Sequence, residues 1–213
     1  MNWTRDRHMA GAAALALAML ASTSCGDAVR QGRASSYLVV DQLTAASGAK
    51  PSLFSNVLES DVVTLVKATV GTQTVLVPTV FEDLGQVQLH IAMKDPGGTV
   101  PSNPSTVNQI TLDRYEVTFV RSDGRATPGV DVPAAFFGAI TGTVTATPTA
   151  FTFVLVRAQA KLEAPLMAMR NGGGNVVLST IAQVTVYGHD QAGNTVSLTG
   201  SMSVNFADWG DPG

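Results

Sequence analysis

The chain has 213 residues, of which 45% are hydrophobic and only 14% charged, with 20 Gly, 10 Pro and a formal net charge of -3 at pH 7. That charge and a pI near 5.5 leave no basic stripe for phosphates, which argues against nucleic-acid binding. One cysteine excludes an internal disulfide and a cysteine-based metal site, so core burial alone has to hold the fold.

At the amino terminus Arg5 and Arg7 form a basic leader, and residues 10–21 (AGAAALALAMLA) are an unbroken small and apolar run. A bilayer core of about 30 Å needs roughly 20 helical residues, so this run is too short to span; a basic leader, an apolar run of roughly 7–15 and then small residues make an export signal. Ser22, Thr23 and Ser24 are the small residues, and Cys25 follows them. These residues resemble a bacterial lipoprotein signal. The resemblance implies a signal peptide over 1–24, a lipidated Cys25 carrying acyl chains such as palmitate, and a protein attached to a membrane of the bacterial cell envelope, facing the periplasm or the exterior. An unpaired thiol in an oxidising compartment is a liability unless capped, which agrees with that reading. Ser22 stands where such signals usually place an aliphatic residue. Two alternatives therefore stay open: cleavage at Ser22-Thr23-Ser24 by ordinary signal peptidase, and an uncleaved amino-terminal membrane helix.

Residues 25–36 read as the lipidated cysteine and a small, polar tether, and 37–213 as a single domain. Residues 37–43 (YLVVDQL) are a dense run of strand formers. Residues 51–60 could form a turn or two of helix with Ser52 as cap, or a loop whose Phe54 plugs the end of a core. Strands are expected at 61–70 and 74–80, the latter at an edge or an end because of Pro78. In 86–94, Val87, Leu89, Ile91 and Met93 alternate with polar residues, the pattern of a half-buried antiparallel strand. Asp95-Pro96-Gly97-Gly98 turns the chain, and 109–120 returns it to strand with Tyr115, Val117 and Phe119 on one face. After a Pro-rich connection at 126–133, strands are expected at 139–146 and 151–160, the second central because both its faces are apolar. Pro165 breaks any helix or ladder in 161–169, and 171–175 (NGGGN) is a loop. Finally, Ala182, Val184 and Val186 lead to a turn at 188–194, from which Val196 to Phe206 hold strict period two, making a hairpin with one buried face.

Eight or nine strands without a long helix add up to an all-β fold, an antiparallel β-sandwich, because an apolar strand face without helices must be covered by a second sheet. The ending VTVYGHDQAGNTVSLTGSMSVNF is similar to the final hairpin of bacterial immunoglobulin-like domains, although the Cys, Trp, Cys framework of antibody domains is absent. The whole chain resembles exported bacterial lipoproteins of unassigned activity. These resemblances imply fold and address rather than chemistry.

The chemistry-bearing residues are sparse. His8 lies in the signal, which leaves His90, on the polar face of its strand, and His189, beside Asp190 in the last turn. No nucleophile elbow, zinc-protease helix or phosphate-cradling loop is present, so no catalytic residue, cofactor or metal is assigned and the chain is not read as an enzyme, an uncharacterised hydrolase standing as a third alternative. Asp190, Asp208 and Asp211 with Asn194 invite a calcium site, although turn formation accounts for Asp190 and Asn194 without an ion. Phe136 and Phe137 are the candidate contact surface, since adjacent aromatics in extended chain point to opposite sides. The expected function is a lipid-anchored structural or protein-interaction module with an envelope protein partner; the alternative is a ligand-binding protein for a carbohydrate or other small molecule.

Overall fold

A computed structural model describes residues 34–94, 103–172 and 174–209; the signal, Cys25, the turn at 95–98 and Asp211 lie outside the described residues. Two sheets face each other. The first holds β1 (Ser36–Ala46), β5 (Asp83–Met93) and β8 (Thr149–Val156), in the order β1-β5-β8 and antiparallel throughout. The second holds β2 (Val57–Asp61), β6 (Ile110–Arg121), β7 (Phe136–Val144), β9 (Leu178–Asp190) and β10 (Thr195–Ala207), in the order β2-β10-β9-β6-β7. Its pairings are antiparallel except that β2 runs parallel to β10. A third, two-stranded ribbon of β3 (Thr64–Val70) and β4 (Gln73–Thr79) leaves the sandwich between β2 and β5. The fold is an all-β sandwich, as the alternation in the sequence requires.

The core lies where the two inner faces meet. Val87, Leu89 and Ile91 of β5 and Phe151, Phe153 and Leu155 of β8 face Tyr115, Val117 and Phe119 of β6, together with Ala182, Val184 and Val186 of β9 and Met202, Val204 and Phe206 of β10. Period two accounts for this: along β10 those residues are buried while Ser197, Thr199, Ser201 and Ser203 are exposed. The rings of Tyr115 and Phe153 stack tilted at 5.0 Å, and Tyr115 meets Phe136 edge-on at 6.2 Å. Glycines make room for these rings. A Cβ at Gly138 would lie 2.3 Å from the Tyr115 ring and one at Gly85 2.5 Å from Phe153.

Several expectations need correction. Among the described residues there are ten strands rather than eight or nine, because residues 51–60 form no helix: a loop there runs into β2, where Leu58, Ser60 and Asp61 are buried and Val57 and Glu59 are exposed. β8 is an edge strand rather than a central one, and Thr152 on its outer face is exposed. Its apolar outer residue Val154 instead gives its N–H to the Tyr115 hydroxyl, 3.2 Å away. β8 also stops at Val156, where residues 158–161 coil into a single helical turn, α1 (Ala158–Lys161). β7 begins at Phe136 rather than at 139, so Phe136 and Phe137 lie in the strand itself. The last turn is shorter than expected, since β9 continues to Asp190 and the chain reverses over 191–194 with Gly193 at φ 79°. β1 begins at Ser36, and Ala34 ahead of it is already buried.

Gly138→Ala should cost about 1–3 kcal/mol, the usual penalty for overpacking a filled core. Thermal unfolding against a surface Gly124→Ala control checks whether the loss tracks the Tyr115 contact; at Gly124 nothing lies near the added carbon, although its φ of 89° itself disfavours Ala.

Candidate functional site

The register assigns each segment to one of two ends. Ser36, Met93, Thr149, Ile110, Val144 and Asp190 share the end at which the chain enters, where Ser36 Oγ donates to the Asn108 carbonyl at 2.7 Å. Ala46, Asp83, Val156, Asp61, Ala207, Leu178 and Arg121 share the other. Apart from Tyr37 and Val107, the exposed large apolar side chains among the described residues belong to that second end, to the ribbon it carries or to the neighbouring half of the large sheet. They include Leu53, Val57, Leu162, Met167, Val176 and Val177. This is where the structure concentrates the kind of surface that binds other molecules.

The same end is organised inside by a buried ion pair. Lys161, 1% exposed, places Nζ 2.9 Å from Asp83 Oδ1, and Asp83 is fully buried. The carboxylate is satisfied further: the Gly48 N–H donates to Oδ1 at 2.8 Å and the Ser60 hydroxyl to Oδ2 at 2.5 Å. Arg170 Nη2 then donates to the Lys161 carbonyl at 3.2 Å. One carboxylate at the start of β5 thus ties the 47–50 turn, β2 and α1 together. Beside it Asp61 closes the base of the ribbon: its Oδ2 accepts from Thr64 Oγ1 at 2.7 Å and its Oδ1 from the Trp209 N–H at 3.1 Å. Trp209 also lines an open cleft of about 320 Å³ with Lys50, Leu53, Ser55, Val57 and Glu59. Its indole Nε1 is enclosed without a hydrogen-bond partner among the described residues.

The ribbon is open to solvent along most of its length. It packs on no other described element beyond marginal contacts, and Val66, Val70, Val75, Leu76 and Val77 are all exposed. A two-stranded ribbon standing alone in water is marginal, so the chain holds an apolar surface there that the described sandwich does not cover.

The residues singled out from the sequence are distributed as follows. Phe136 is buried, with the Arg157 guanidinium 4.4 Å above its ring, whereas Phe137 is 64% exposed next to Glu116 on β6. His90 lies on the outer face of β5, where its Nδ1 is 2.8 Å from Asp41 at the bulge in β1. His189 is 3.9 Å from Asp113. The calcium grouping does not assemble: Asp190 precedes one end of β10 and Asp208 follows the other, so a 13-residue strand at about 3.3 Å per residue separates them. Asp190 is instead consumed by its turn, accepting from the N–H groups of Ala192 and Asn194 and from Asn194 Nδ2 at 2.8–2.9 Å. Burial alone would raise its pKa, but these hydrogen bonds and nearby His189 outweigh that and hold it below the ordinary carboxylate value. Among the described residues no group of three or more His, Cys, Asp or Glu is placed to hold a metal, and no helix is long and apolar enough to cross a membrane.

No protein-family model matches this chain, and no curated protein is significantly similar to it.

Two outcomes follow from the geometry. Lys161→Met should cost about 3–5 kcal/mol because it strands a buried carboxylate, while Lys161→Met combined with Asp83→Leu should recover most of that loss; chemical denaturation of the three proteins reads both. Asp190→Ala should cost about 1 kcal/mol near neutral pH. A depressed carboxylate pKa stabilises the fold above the unfolded-state value of about 3.9 and ceases to as pH falls through the folded value, so the gap between wild type and Asp190→Ala should narrow below about pH 4. Denaturation curves at pH 7 and pH 3 test this.

Proposed function

We propose that the chain is a lipid-anchored protein of the bacterial cell envelope, held to its membrane through Cys25, whose sandwich serves as a protein-interaction module. The observation that carries the module reading is the polarity of its surface. The chain enters the sandwich at one end, and the exposed apolar side chains gather at and beside the other, including a ribbon that no described element covers. Amino-terminal attachment would turn that end outward, away from the supporting membrane. The anchor reading rests on the sequence: a signal-like run, three small residues and a single cysteine directly after them. Full processing would add three acyl chains, where two membrane signals already suffice for stable attachment. The likeness of the last hairpin to those of bacterial immunoglobulin-like domains accords with an extracytoplasmic module.

A ligand-binding reading is favoured by one observation, the Trp209 cleft, which combines an aromatic ring and exposed Leu53 with the charged groups of Lys50 and Glu59. A panel of sugars that raises the melting temperature of wild type, and not of Glu59→Ala, would favour it over the module.

Intact mass of protein recovered from the bacterial membrane fraction tests the anchor. An acylated terminus at Cys25, lost in Cys25→Ser with a shift to the soluble fraction, is the expected result; a bare terminus on soluble wild-type protein overturns it. Photo-cross-linking from position 76 in intact cells tests the module, which predicts discrete protein adducts at the ribbon and none from a probe at exposed Ser201.

A further inference from the structure

We propose that the free edge of β7 pairs antiparallel with the free edge of β7 in a second copy of this chain, joining the two large sheets into one. The proposal uses neither the ribbon nor the Trp209 cleft. Sheet order ends at β7, and the register against β6 fixes which backbone groups are left over. Ser122, just past β6, donates its N–H to Ser179 on the β9 flank, so Tyr115 and Val117 turn their backbone groups towards β7, where they meet Gly138 and Phe136. Across the β6 bulge Leu112 and Ile110 stand opposite Gly142 and Val144, and β7 keeps period two throughout, with all its odd-numbered residues exposed. Phe137, Ala139, Thr141 and Thr143 therefore each direct one N–H and one C=O outward, where no described strand pairs with them.

The other described edges carry devices against an added strand. β1 has a bulge at Asp41 and is met by Ser55 at Ala45. β8 has its outward Val154 N–H taken by the Tyr115 hydroxyl. β2 is five residues long and carries Glu59 and Asp61, and the ribbon has Pro78 and Lys67. β7 has none of these: residues 132–156 hold no charge, and Pro133 and Pro148 fall outside the strand.

The side-chain pattern selects a second copy as the added strand. Phe136, Gly138, Ile140, Gly142 and Val144 on the inner face read large, glycine, large, glycine, large, which is symmetric about Ile140. Turned end for end, the strand matches itself. A two-fold axis at Ile140 sets Gly138 against Gly142 and Phe136 against Val144, and on the outer face Phe137 against Thr143 and Ala139 against Thr141. The match matters at the glycines, because the Tyr115 ring lies over Gly138 and the Phe151 ring over Gly142, so close that a Cβ at either would be 2.3 Å from the ring. The position opposite each glycine is thereby narrowed, and in a second copy it is filled by glycine. The outer pairs are the hydrogen-bonded ones: four rungs with two bonds each use every outward group, close to the roughly 10 direct hydrogen bonds of a standard interface. Because the strands run antiparallel, the two entry ends point in opposite directions, so anchored copies pair from facing surfaces.

The test is sedimentation of the full chain over a concentration series, solubilised where it carries lipid. Wild type is compared with Ala139→Lys/Thr141→Lys, Ala139→Lys/Thr141→Asp and Ala139→Lys/Thr143→Asp, all at exposed positions, and thermal melts establish that each is folded. Wild type should move from monomer to dimer as concentration rises. The double-lysine variant should raise the dissociation constant at least about tenfold, because like charges meet on two rungs. Ala139→Lys/Thr141→Asp should recover association, because the lysine at 139 of one copy meets the aspartate at 141 of the other. Ala139→Lys/Thr143→Asp has the same net charge out of register and should recover less. A wild type monomeric at every concentration overturns the proposal, as does a dimer indifferent to the two lysines. Recovery that fails in the folded 139/141 pair, or is equal in the 139/143 pair, overturns it as well.

Discussion

The Lys161–Asp83 pair sits at the point where the three parts of the molecule meet, and the arrangement of the apolar end depends on it. Two charges removed from water in this way cost several kcal/mol each before any attraction is counted. They are tolerated because the carboxylate also takes the Gly48 N–H and the Ser60 hydroxyl, so that few of its lone pairs are left unmet. The contact joins the first sheet, through β5, to the second, through Ser60 of β2, and draws α1 over the seam. A hydrophobic contact of the same volume could hold these segments with equal strength, but it would tolerate sliding. The bonded carboxylate gathers Gly48, Ser60 and Lys161 at one point, next to where the chain departs from β2 into the ribbon.

That departure gives the molecule two unlike ends. Around the entry end the chain is stitched by hydrogen bonds, with Ser36, Asn108 and Lys94 joining neighbouring segments to Ser35 and its surroundings. Around the other, single-turn α1, the segment after it and the ribbon are irregular additions to the sheet framework, and Leu162, Met167 and the ribbon valines are exposed there. Such segments belong where function is carried, because rigid sheets supply the support and additions at their ends can change without disturbing the core. An outward-facing apolar end on a tethered sandwich is the physical content of the interaction-module reading.

Much of this was legible in the residues before any coordinates. The strict alternation from Val196 to Phe206, and of Val87, Leu89 and Ile91 against Gln86, Gln88 and His90, leaves no other arrangement than strands with one buried face. Pro78 marked its strand as peripheral, and β4 lies in a ribbon outside both sheets. Where reading failed, the signal was ambiguous for a physical reason. Phe151 and Phe153 on one side and Val154 and Val156 on the other suit a central strand; β8 is nevertheless an edge, where Thr152 is exposed and the Val154 N–H is taken by the Tyr115 hydroxyl. Residues 51–60 have the spacing of a helical face, yet Val57 to Asp61 find a partner in β10, and pairing with a formed strand outweighs a weak local preference.

By itself the sequence determined the fold class, the faces of the long strands and an expected address in the envelope, since each of these is written in local periodicity or in a short contiguous motif. Only the tertiary structure decided that Lys161 and Asp83, 78 residues apart, would meet in the core, because a lone Lys or Asp in an irregular segment belongs on the surface unless a distant partner is brought to it. It alone decided, too, that the valines of β3 and β4 would stay exposed. Alternation tells which residues share a face of a strand, and whether that face is covered depends on what the rest of the chain, or another chain, places against it.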